Sequence, residues 1–75
     1  MNESVSPEEG RRRLDGGWKK LERTLVEEGR KDNLYEAILR APDGRTWRTC
    51  FREGEDTAPF EFDTEATFYE VRHVE

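Results

Sequence analysis

Apolar residues are sparse along this chain and fall into two rhythms, each predicting a different element. Leu14, Trp18, Leu21 and Leu25 recur at intervals of four, three and four, which places them on one helical face with Arg, Lys and Glu around the rest. Ahead of them, Ser6-Pro7-Glu8-Glu9 reads as a helix start. Ser caps the free N–H groups, Pro occupies the first turn where its missing N–H is harmless, and the glutamates complete a capping box at the positive end of the dipole. Gly29 followed by Arg30 and Lys31 suits a helix end. Gly16-Gly17 interrupts the pattern, since each glycine inside a helix costs about 1 kcal/mol relative to alanine. The spacing therefore predicts either one helix over 7–28 with a weak point, or a short turn followed by a helix over about 18–28. The second half is the firmer.

The other rhythm is alternation around a turn. Ala41-Pro42-Asp43-Gly44 has Pro to fix φ, Asp to follow it, and Gly to accept a left-handed backbone, the pattern of a three-residue hairpin loop with a bulge. Such a loop pairs Ala41 with Arg45 and so fixes the register of the hairpin. Leu39 faces Trp47, Ala37 faces Thr49 and Tyr35 faces Phe51 on one side; Ile38/Arg48, Glu36/Cys50 and Leu34/Arg52 lie on the other. The first side is the apolar one and the expected seat of the helical stripe.

After a polar loop over 53–59, Phe60-Glu61-Phe62 alternates as a strand. Residues 63–66 form a turn or the start of a short helix, and Thr67 to Val74 reads as a last strand. The expected architecture is α+β: one N-terminal amphipathic helix packed on a three- or four-stranded antiparallel sheet, in the order α-β-β-β-β. Residues 1–5 are expected to be a disordered N-terminus, and 6–75 a single small domain. The expected core is Leu14, Trp18, Leu21, Leu25, Tyr35, Ala37, Leu39, Trp47, Phe51, Phe60, Phe62 and one face of the last strand.

Composition tempers this reading. In 75 residues, 41% are charged and 32% hydrophobic, a balance that alone leans toward disorder. Eight aromatic rings argue for order, because they supply most of the apolar area in compact form. At 0.05 to 0.15 kcal/mol per residue, stability should total only about 4 to 11 kcal/mol. No uncharged run exceeds four residues, so neither a membrane span nor a signal-peptide core is expected. One cysteine cannot form an internal disulfide, and the expected location is cytoplasmic. The net charge of −5 is uneven: residues 1–52 carry +2, while residues 53–75 carry −7.

Catalytic chemistry finds little to work with. The single His73, the single Cys50 and serines confined to the first six residues give poor material for a nucleophile–base pair, and one Cys with one His falls short of a zinc site. Glycine-rich phosphate motifs are missing, and Glu53, Glu55 and Asp56 do not have the spacing of a calcium loop. No catalytic residue, cofactor or metal is expected, and the protein is read as a non-enzyme. Cys50, mid-strand beside Glu36 and Arg48, is read as a half-buried small apolar residue, the alternative being a thiol whose pKa Arg48 lowers somewhat.

Two surfaces remain. The acidic third, Glu53, Glu55, Asp56, Glu61, Asp63, Glu65 and Glu70, suits a small regulator or inhibitor docking on a basic protein, and in its extreme form a mimic of a nucleic-acid backbone. The arginines Arg40, Arg45, Arg48 and Arg52 offer the alternative of a nucleic-acid-binding domain, disfavoured by the pI of about 4.9. A structural homo-oligomer, such as a homodimer joined through an edge strand, is a further alternative. No membrane partner is expected.

Overall fold

The computed structural model describes residues 2–54, 57–62 and 64–71. Its order is β1 (Asn2–Val5), α1 (Pro7–Arg12), a looser turn (Arg13–Gly17), β2 (Lys19–Glu28), β3 (Asp32–Arg40), β4 (Thr46–Gly54), β5 (Thr57–Glu61) and β6 (Ala66–Val71). All pairings are antiparallel and run β1-β6-β4-β3-β2, with β5 also on β4. A six-stranded sheet with one short helix thus replaces the expected long helix on three or four strands.

The helix start is where the sequence puts it. Ser6 Oγ accepts from the Glu9 N–H at 3.2 Å and Pro7 opens the first turn. The helix then fails at the glycine pair: Asp15 leaves helical geometry and Gly16 takes φ 100°. The firm and weak halves are therefore the reverse of the expectation, because 19–28 is a strand. After Gly17 no Ser, Thr, Asp or Asn caps a new helix, and ten uncapped residues would be marginal as one. Pairing with β3 satisfies their backbone groups instead. Of the four-residue stripe, Leu14 is buried and Trp18 packs on the core, but Leu21 and Leu25 are exposed. The N-terminal stretch, expected to be mobile, forms β1 along β6.

The hairpin follows its predicted register. Gly44 takes φ 90°, Ala41 N–H donates to Arg45 O at 2.8 Å, and Gly44 N–H donates to Ala41 O at 2.9 Å. Leu39 faces Trp47, Ala37 faces Thr49 and Tyr35 faces Phe51. All but the half-buried Tyr35 are buried, with Thr49 Oγ1 satisfied by Thr67 O at 2.8 Å. β4 is the central strand: it pairs with β6 along Thr46–Thr49 and with β5 from Arg52 to Gly54. The expected loop over 53–59 is thus largely strand. Among the described residues, the last strand starts at Ala66 and ends at Val71.

Phe68, Phe62 and Ala66 join the hairpin residues under α1. At one end Trp18 lies 5.5 Å from Phe68 and 6.2 Å from Trp47; at the other Phe51 lies 5.8 Å from Tyr35 and 5.2 Å from Phe60, centroid to centroid. With few aliphatic residues, cations finish the cover. Arg13 sits 4.3 Å from the Trp18 ring and 4.8 Å from that of Phe68. Arg23 lies over Tyr35 at 4.2 Å, and Lys20 over Phe60 at 4.7 Å.

Candidate functional site

The sheet's second face carries Leu34, Glu36, Ile38, Arg48, Cys50, Arg52 and Tyr69, none of them fully buried. β4 changes partner on this side, and where β6 and β5 diverge from it a groove of about 320 Å³ opens. Leu34, Cys50, Arg52, Glu61, Glu65 and Tyr69 line it, above Phe62. Phe60, near the end of β5, is the only non-glycine with positive φ (56°) among the described residues. Such strain persists only where the surrounding structure holds it.

Among the described residues, the acidic candidates Glu53, Glu61, Glu65 and Glu70 do not gather into one patch. Glu61 pairs with Arg52 in the β5/β4 register and, with the exposed Glu65, borders the groove. Glu53 and Glu70 lie on the opposite face, since their register partners Asn33 and Trp47 belong to the core-side set. Glu53 accepts from Arg23 Nη2 at 2.7 Å, and Glu70 lies 3.9 Å from Arg45 Nε. Glu55, Asp56 and Asp63 lie outside the described residues, as does His73.

Three of the four candidate arginines face acids. Arg48 Nη1 is 3.4 Å from Glu36 and stacks at 4.9 Å on Tyr69; Arg52 Nη1 is 3.4 Å from Asp32; Arg45 lies between Asp43 and Glu70. Arg40 is exposed at the end of β3. Partial burial pushes the Cys50 thiol pKa up and Glu36 adds to this, outweighing the opposing Arg48. The alternative of a thiol activated by Arg48 is therefore not supported. Among the described residues, no group of three His, Cys, Asp or Glu side chains is placed to hold a metal ion, and no helix is long and apolar enough to cross a membrane.

Sequence reading missed the groove because no local pattern announces that a central strand exchanges one neighbour for another. Its nearest signal was the half-apolar second face of the hairpin. By fold the protein is a small six-stranded antiparallel sheet with one short helix packed on a face. No protein-family model, curated protein or solved structure matches the chain.

Proposed function

We propose that the protein is a small non-enzymatic binding domain, a regulator or inhibitor that docks on a basic protein in the cytoplasm. The observation that carries this reading is the open groove, where Glu61 and Glu65 stand exposed beside Tyr69 and Leu34. A lysine or arginine of a partner would lay its apolar stem against Tyr69 and Leu34 and bring its charge to the two carboxylates. Arg52 does not block this, because its guanidinium turns to Asp32 on β3, away from β5. The acidic surface engaged is therefore narrower than the −7 of the last third suggests, and backbone mimicry by a long carboxylate row has less support. Nucleic-acid binding has less still, since Arg45, Arg48 and Arg52 each face a carboxylate.

The test is titration with a peptide alternating arginine and leucine, followed by NMR shifts of Cys50, Glu61, Glu65 and Tyr69. Shifts confined to the groove are expected, and Glu61→Lys with Glu65→Lys should abolish them without lowering the melting temperature. Equal affinity in that variant would remove the proposal.

A further inference from the structure

β2 is an open edge of the sheet, ten residues long and without proline, and what protects it is its charges and two register irregularities. All ten of its residues are exposed, including Leu21, Leu25 and Val26 at 41, 49 and 54%. Among the described residues it pairs with β3 alone, so one row of its backbone groups faces outward. The opposite edge, β1, is only four residues long. The register of β2 shifts at Leu21 and again at Val26, and these irregularities flank a regular run, Glu22–Leu25.

The charges of β2 are arranged head to tail. Lys19 and Lys20 stand at its start and Glu27 and Glu28 at its end. Arg23, between them, is held by Glu53 and by the Tyr35 ring. A second copy of the same strand, laid antiparallel, brings the lysine end of one beside the glutamate end of the other; laid parallel, it opposes like charges. A two-fold axis perpendicular to the sheet requires facing residues to lie on the same face. Lys20 and Glu28 meet this condition, because their β3 partners Leu39 and Asn33 are an even number of residues apart. An axis through Thr24 sets Lys20 against Glu28 and Thr24 against its own copy, a favourable cross-strand pair, whereas an axis through Arg23 would set that arginine against itself.

We infer that the protein forms a homodimer in which two β2 strands pair antiparallel about a two-fold axis at Thr24, joining both chains into one sheet. Leu21, Leu25 and Val26 then lose part of their exposure to the neighbouring side chains of the second copy. The groove lies across β4 from this edge and stays open, so the dimer and the groove are independent of each other.

Sedimentation velocity over a range of concentrations tests this. The wild-type protein should show a concentration-dependent dimer that weakens at high salt. Lys19→Glu with Lys20→Glu, and separately Glu27→Lys with Glu28→Lys, should each weaken dimerisation by about tenfold or more while circular dichroism stays unchanged. Mixing the two variants should restore association, as should all four exchanges in one chain. A wild-type protein that is monomeric throughout, double variants that dimerise as before, or a four-residue exchange that stays monomeric would each overturn the inference.

Discussion

Arg13 offers a sharp test of how this domain is held together. It is 8% exposed, its guanidinium lies over both the Trp18 and Phe68 rings, and it bonds Glu9 through Nε at 2.9 Å and Glu3 through Nη2. Two ring contacts contribute roughly 0.5 to 2 kcal/mol each as they become desolvated, and the aliphatic stem adds packing. Against this, Nη1 is buried without a hydrogen-bond partner among the described residues, which costs of order 1 kcal/mol or more. Breaking a buried pair usually costs about 3 to 5 kcal/mol, because the abandoned charge is trapped. Here the Glu3 and Glu9 side chains are 43% and 31% exposed and can rehydrate, so that penalty is mostly avoided. Arg13→Ala should therefore cost about 3 kcal/mol, mainly from lost cover over the two rings, and Arg13→Met, which restores that cover and removes the orphan N–H, only about 1 kcal/mol. At 4 to 8 °C per kcal/mol for a domain of this size, the melting temperature should fall by about 12 to 24 °C for Ala and about 4 to 8 °C for Met. Thermal melts followed by tryptophan fluorescence, with Trp18 beside the mutation, read this directly. Equal losses for Ala and Met would refute the reasoning by showing that charge, not packing, holds the site.

Two further predictions concern α1. Alanine normally strengthens a helix by up to about 1 kcal/mol over glycine, but a Cβ on Gly10 would stand 2.5 Å from Ala66 Cβ and 2.8 Å from Phe62 Cε2. Gly10→Ala should thus destabilise by about 1 to 2 kcal/mol in urea unfolding, and a gain would show that the helix does not sit against β6. Hydrogen bonds from Arg12, then Arg13, hold the Glu9 carboxyl down to about 2 from 4.5. The unfolded chain therefore takes up this proton first on acidification. The stability Glu9 contributes is complete above about pH 4.5 and lost as pH falls toward 2. An acid series of melts should show this loss, and Arg12→Gln should shrink it; an unchanged profile would exclude the pairing.

What could be read along the chain was whatever short-range geometry decides. Ser6-Pro7-Glu8-Glu9 caps a helix wherever it sits, and Pro42-Asp43-Gly44 sets a hairpin whose partners follow one by one from the loop length. The Leu14/Trp18/Leu21/Leu25 spacing misled because a stripe at 4-3-4 intervals marks a helix only if something buries all of it. The Gly16 break, the absence of a cap at Trp18 and an unpaired β3 edge favoured a strand, and the covering role passed to Arg23 and Lys20. The acidic set was visible as composition, but which face each carboxylate occupies depends on register, and register separates Glu53 and Glu70 from Glu61.

The amino-acid sequence by itself determined the helix start, the central hairpin with its register and its buried face, and the segregation of charge toward the last third. Each rests on interactions spanning only a few residues, or on a turn that propagates its own pairing. Only the tertiary structure decided that 19–28 is a strand, that β4 passes from β6 to β5 and leaves a groove, and that arginines cover an aromatic core. The reason is physical: a segment with weak local preference takes the form that satisfies its backbone against whichever neighbour is present, and that neighbour lies far away in the chain.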